Sequence, residues 1–258
     1  MAVLYTDLDN TIIYSYKHDI GPRKKQVELY QGREISFVTE KTYELLRELK
    51  NHIRIIPTST RTVEQYGRID LGLGTFPYAL VCNGGILLCG GRRDEAWYRE
   101  SLRLTADSRD TLQRALELLE RDARRSFALR FIEDLFVFTK CDEPEAVADG
   151  LRQQLDLRMV DVLCNGTKLY VIPKALSKGA ALRRMKEYLE DAFVVAAGDS
   201  AFDISMLREA DLGFAPGGFQ ARYGIGFAVE EAGRDALFSD AFLERLLHIL
   251  LAAGGNEP

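Results

Sequence analysis

The chain has 258 residues, enough for one large domain or for a core with an accessory domain. With 47% hydrophobic and 28% charged residues it has the composition of an ordinary globular protein. A formal charge of −5 and a pI of about 5.4 exclude a general nucleic-acid binder, which needs a basic face, but leave room for a local basic pocket.

The first predicted element is the apolar strand Val3 to Thr6, which runs directly into Asp7-Leu8-Asp9-Asn10-Thr11. An excursion follows from Tyr14 to Phe37. Within it, Val27 to Tyr30 and Arg33 to Phe37, around Gln31-Gly32, read as a small hairpin over the end of that strand. Thr39 to His52 carries Leu45, Leu46 and Leu49 at helical spacing, with Thr39 as N-cap. A second strand, Ile53 to Thr58, ends at Ser59, and a helix is expected to start near Thr60-Arg61-Thr62. A third, Tyr78 to Cys82, ends at Asn83.

The pattern then changes. Ile86 to Cys89 and Glu95 to Tyr98 read as a hairpin around Gly90-Gly91-Arg92. Asp107 to Arg124 is an amphipathic helix with Leu112, Ala115, Leu116, Leu119 and Ala123 on one face. Phe127 to Ile132 and Leu135 to Thr139 are strands joined by Glu133-Asp134. Pro144 to Leu155 is a helix with Pro144 in its first turn. Met159 to Leu163 and Lys168 to Ile172 flank the turn signal Asn165-Gly166. The chain then returns to the first style. Ser177 to Leu189 is a helix, and the strand Phe193 to Gly198 ends at Asp199.

Strands alternating with helices imply right-handed crossovers and a parallel sheet, so the four polar strand ends are expected on one sheet edge. The fold class is therefore α/β: a Rossmann-like parallel-sheet core, residues 1–84 and 174–258, with a smaller α+β domain, residues 85–173, inserted at Gly84-Gly85 and Pro173-Lys174. The four cysteines form no Cys-x-x-Cys pair and the three histidines are far apart, so no zinc site is expected. They read as small buried residues of a reducing, cytoplasmic protein. No leader is expected ahead of the first strand, and Leu246 to Ala253 is too short to span a bilayer, so no membrane partner is expected.

Asp7 and Asp9 place two carboxylates at the open end of a buried strand. Such a pair raises its own pKa values unless a cation sits between. Asp199 adds a third carboxylate on the same edge. Three hard oxygen donors suit Mg²⁺. Ser59, at a strand end before a helix, has a hydroxyl placed to meet a phosphate oxygen. Lysine at a helix start is electrostatically unfavourable, so Lys178 is expected to point into the acidic cluster, with Gly179 permitting close approach.

In chain order, Asp7-Leu8-Asp9-Asn10-Thr11, Ser59-Thr60-Arg61, Ser177-Lys178-Gly179 and Gly198-Asp199 with Asp203 resemble the four signature motifs of the haloacid dehalogenase-like superfamily of phosphatases. The insertion resembles the α+β cap of the subclass that includes sucrose-phosphate and trehalose-phosphate phosphatases. The chain departs from the pattern at Asn10, Thr60 and Phe202, where relatives more often carry Gly, Gly and Asn. The resemblance implies a Mg²⁺-dependent phosphatase of a small phosphorylated metabolite. Asp7 would be the nucleophile and Asp9 the acid and base, starting protonated. Ser59 and Lys178 would hold the phosphate. Asp7, the Asp9 carbonyl and Asp199 would hold the metal, and Asp203 would orient Lys178 or a metal-bound water. Arg61 and Asn83 are candidate substrate contacts. Arg130, Asn165 and Lys168 of the insertion are further candidates, each equally readable as an ordinary surface side chain. A phosphomutase and a non-catalytic phospho-ligand module are the alternatives.

Overall fold

The computed structural model describes residues 2–189, 193–233 and 235–254. Its centre is a parallel sheet of five strands. β1 (Ala2–Thr6) lies between β5 (Arg54–Pro57) and β13 (Phe193–Ala197). β14 (Leu212–Ala215) and β15 (Glu230–Glu231) follow outward from β13. Each neighbouring pair is parallel, and the register sets Thr6 beside both Pro57 and Ala197.

The sheet is buried on both faces, because successive side chains along a strand point to opposite sides. Leu4, Ile55, Val195, Ala197 and Phe214 pack on α1 (Glu40–Leu49) and α9 (Phe238–Gly254) through Leu46, Leu49, Phe242 and Leu246. Val3, Tyr5, Ile56, Val194 and Ala196 pack on α6 (Lys178–Leu189) and α7 (Ile204–Glu209) through Leu182, Met185, Met206 and Leu207. The Thr39 hydroxyl caps α1 by accepting from the Thr42 amide, as the sequence predicts. No described helix is long and apolar enough to cross a membrane.

Three small elements flank the open edge. The excursion after β1 forms a sheet of β2 (Tyr14–Ser15), β4 (Arg33–Thr39) and β3 (Lys24–Tyr30), in the order β2-β4-β3. The short helix α2 (Val63–Gly67) begins behind Thr62, whose side chain and Gln65 form a reciprocal cap. Past β14, α8 (Phe219–Tyr223) packs its Phe219 into the α6 side of the core.

Two expectations are corrected. Tyr78 to Cys82 is not a ladder member of the parallel sheet. β6 (Tyr78–Val81) meets it through one parallel bridge, Thr58 to Leu80, and pairs antiparallel with β7 (Ile86–Cys89). The hairpin after Gly90-Gly91 has only two residues in its second strand, β8 (Arg92–Arg93), and Glu95 to Tyr98 is not strand. It opens the helix α3 (Glu95–Thr105). Asp94 caps that helix through the Trp97 amide, and Trp97, Ser101 and Thr105 bury one face at four-residue spacing. That helical spacing outweighs the short apolar run.

Farther along, an antiparallel sheet has the order β11-β12-β10-β9: β9 (Arg130–Ile132), β10 (Phe136–Lys140), β11 (Val160–Asn165) and β12 (Lys168–Pro173). One face, with Val137, Val162, Leu169 and Val171, packs on α4 (Arg109–Glu120) and α5 (Pro144–Arg152). The other face turns Phe136, Tyr170 and Ile172 toward Leu176 and Phe202, beside the edge where the parallel strands end.

Candidate active site

The parallel register determines what meets at that edge. Thr6, Pro57 and Ala197 are level, so Asp7, Ser59 and Asp199 emerge side by side. The Asp7 amide donates to the Ala197 carbonyl at 2.9 Å, which ties the end of β1 to the end of β13. Gly179 lets α6 approach: a Cβ there would sit 2.4 Å from the Ser205 carbonyl oxygen. This contact carries Lys178 under the strand ends.

Lys178 is 1% exposed. Its ammonium donates to Asp7 Oδ1 at 2.6 Å and to Asp203 Oδ1 at 2.5 Å. Asp203 is also buried, and its second oxygen accepts from the Asp199 amide, the Ser200 amide and the Ser200 hydroxyl. One carboxylate oxygen from each of Asp7, Asp199 and Asp203 lies within 4.8 Å of the others. Burial pushes the Asp7 carboxyl up to about 7, against the pull of Lys178. Burial and the charges of Asp203 and Asp7 push Asp199 up to about 8. Burial works against the charge of Lys178, but its two carboxylate partners outweigh it and raise the ammonium above the ordinary lysine range. Lys178 is thus bonded to two of three clustered carboxylates. An all-oxygen donor set with surplus negative charge fits a hard divalent cation such as Mg²⁺.

Asp9 is arranged differently. Its carboxylate is turned to Arg61, which donates from Nε at 2.8 Å and Nη2 at 2.7 Å. Arg61 Nη1 donates in turn to Glu28 at 2.9 Å, and Arg68 Nε reaches the same oxygen at 3.2 Å. Glu28 is 1% exposed, and its other oxygen accepts from the Ser36 hydroxyl at 2.7 Å. The expectation that acidic neighbours keep Asp9 protonated is therefore overturned. Burial alone would raise its pKa, but the forked hydrogen bonds and charge of Arg61 outweigh it and hold the carboxyl below the usual range. The excursion after β1 supplies this device, because Glu28 stands in β3 and Ser36 in β4.

Asp7, Asp9, Lys178 and Asp199 line one small cavity together with Thr60, Asn165, Lys168, Tyr170, Ser200 and Phe202. The structure therefore brings together Asp7, Asp9, Lys178, Asp199 and Asp203, with Asn165 and Lys168 at the mouth. Ser59 is buried at the same edge, where its hydroxyl accepts from the Arg61 amide, and Thr60 is the residue that lines the cavity. Asn83 is buried in the left-handed turn after β6. Its side-chain nitrogen donates to the Leu176 carbonyl, and its side-chain oxygen has no hydrogen-bond partner among the described residues. Sequence reasoning missed Thr60, Tyr170 and Glu28. The second residue of Ser59-Thr60-Arg61 signals Thr60, but only the fold brings Tyr170 and Glu28 to the edge.

A family model for haloacid dehalogenase-like hydrolases matches residues 92–221, half of the chain. Three solved structures share the fold across nearly the whole chain. The sucrose-phosphatase from Synechocystis sp. PCC6803 has a TM-score of 0.68 at 17% identity, covering 96% of this chain and 97% of that one. A trehalose-6-phosphate phosphatase related protein has a TM-score of 0.53 at 13% identity, covering 99% and 100%. A subclass IIB sugar phosphatase has a TM-score of 0.56 at 12% identity, covering 96% and 99%. No curated protein matches the sequence.

Proposed function

The chain belongs to the haloacid dehalogenase-like hydrolase family, and from that premise we propose that it is a phosphatase acting on the phosphate monoester of a small metabolite, with sugar phosphates the first class to test. The observation that carries this reading is the Asp7, Asp199 and Asp203 cluster with Lys178 bridging two of its members. A site that only bound a phosphorylated ligand would have no use for so many buried carboxylates beside the anion.

In the proposed reaction an Asp7 oxygen attacks phosphorus in line. The new oxygen–phosphorus bond forms as the bond to the leaving oxygen breaks, giving an aspartyl phosphate and an alcohol. Asp9 gives the leaving oxygen its proton. Water then attacks the same phosphorus, passes a proton to Asp9, and phosphate departs as Asp7 is regenerated. The charged Asp9 held by Arg61 is the form the second step needs. For the first step Arg61 must release it to take a proton. Lys178, with Thr60 and Ser59 at the neighbouring strand end, holds phosphoryl oxygens. Asp7 and Asp199, with Asp203 and the Asp9 carbonyl beside them, would hold Mg²⁺, which when bound offsets charge on the transferring group. Residues 85–173 serve as the cap, their antiparallel sheet covering the site and excluding water. Four free cysteines and a soluble metabolite as substrate fit a cytoplasmic enzyme.

The test is phosphate release from a metabolite panel with Mg²⁺, with chelator, and with Asp7→Asn. Release with Mg²⁺ alone, lost in Asp7→Asn while circular dichroism and unfolding stay unchanged, is the expected result. Turnover by Asp7→Asn at the parent rate refutes the assignment.

A further inference from the structure

A second cavity, of about 420 Å³, opens from the first. The two share Asp9, Thr60, Lys168 and Tyr170 as walls. If Asp9 protonates the leaving oxygen, the leaving group lies on the far side of Asp9 from Asp7, in this cavity. That placement rests on the phosphatase reading.

The walls are basic, although the chain as a whole is acidic. Six cations line the cavity: Lys17, Arg61, Arg68, Arg130, Lys140 and Lys168. The two carboxylates there, Asp9 and Glu28, are taken up by Arg61 and Arg68. Among the described residues Lys17, Arg130 and Lys140 make no ion pair with a carboxylate, and Lys168, which faces the neighbouring cavity as well, acts on Asp9 through its charge without a direct ion pair. Lys140 and Lys168 moreover stand directly opposite each other across the β10–β12 pair. Like charges in that position cost stability. Arg130 is opposite Phe138, one step along on the same face, and its guanidinium lies 5.0 Å from the Phe127 ring. The Lys140 ammonium is 4.8 Å from that ring on its own account. The three cations stand beside an apolar strip of the same wall that includes Ile132, Phe136 and Phe138.

We propose that the substrate carries a second anionic group on its leaving portion, a carboxylate or a second phosphate, and that Lys140 and Lys168, with Arg130 beside them, bind it while the carbon skeleton rests on the apolar strip. Specificity then comes from charge pairing at the cap, not from hydroxyl recognition. A neutral sugar monophosphate leaves the opposed lysines unpaired, and an acid-bearing substrate relieves their repulsion.

Matched pairs of phosphate esters test this: glycerol phosphate against phosphoglycerate, and a hexose monophosphate against the hexose bisphosphate. Phosphate release is measured with Mg²⁺ for the parent, for Lys140→Gln and for Arg130→Gln. The readout is the ratio of kcat/KM for the acid-bearing member over its neutral partner. The expected ratio is about tenfold or more in at least one pair, falling about tenfold in each variant through KM, as loss of one charge-assisted hydrogen bond implies. The Arg130 variant keeps the test open if the Lys140 variant does not fold. Equal kcat/KM within both pairs, or ratios that neither variant changes, overturn the second-anion assignment and leave the phosphatase reading standing. Absence of release from all four esters overturns the second-anion assignment, and absence across the whole metabolite panel overturns the phosphatase reading as well.

Discussion

Replacing Lys178 by methionine removes the one lysine bonded inside the acidic cluster while keeping most of the side-chain volume. Lysine and its partners Asp7 and Asp203 are all buried, and Lys178 is bonded to both. Removing one member of a buried ion pair typically costs about 3–5 kcal/mol, because the remaining charge is stranded. The two carboxylates do not share that loss equally. Asp203 keeps three donors on its second oxygen, whereas Asp7 has no other side-chain hydrogen bond among the described residues. Asp7, pushed up to about 7 even with the lysine present, rises further without it and takes a proton. A folded-state pKa above the unfolded value means the folded protein binds more protons, so stability grows as pH falls. Urea unfolding in chelator should therefore show K178M weakened by about 3–5 kcal/mol near pH 8.5, within a typical total of 5–15 kcal/mol. The deficit should shrink by up to about 1.4 kcal/mol per pH unit toward pH 6. A deficit below about 1 kcal/mol, or one identical at both pH values, refutes the reasoning.

The parent protein should show a related dependence. Asp7 and Asp199 are raised to about 7 and about 8, so in chelator its stability should fall as pH rises through that interval, and Mg²⁺ should restore it at the alkaline end. Thermal melts with the same slope in chelator and in Mg²⁺ would contradict this. Gly198→Ala should destabilise by about 1–3 kcal/mol and depress turnover, because the new Cβ would lie 2.3 Å from the Asp203 Cβ; unchanged unfolding and activity would show that Asp203 can move aside. Glu28→Ala removes the carboxylate shared by Arg61 and Arg68 and the acceptor of the Ser36 hydroxyl, while Arg61 keeps Asp9 and Arg68 keeps Glu64; it should cost about 1–3 kcal/mol in urea unfolding, with Glu28→Gln recovering part of it. Equal stabilities of parent and Glu28→Ala would mean the buried pair contributes nothing to the fold.

The sequence by itself determined the core of the site. An apolar strand ending in Asp7, another ending at Ser59 and a third ending before Asp199 can form only a few sheets. Parallel connections put all their ends on one edge, and Lys178 at a helix start beside Gly179 had an electrostatic reason to point there. Local signals also sufficed for α1, with its Thr39 cap, and for the β11–β12 hairpin that turns between Asn165 and Lys168. They failed where two periods competed, at Glu95 to Tyr98, because a short run does not separate strand from helix until the spacing from Trp97 to Thr105 is followed. Tertiary structure alone decided the state of Asp9. Its partner Arg61 is 52 residues away, and Arg61 is held by Glu28, 33 residues away from it, in an excursion that no motif marks. Charge partners at such separations are chosen by packing and register, which carry no local propensity. The opposition of Lys140 and Lys168 arises in the same way, since pairing across two strands decides which like charges must face each other.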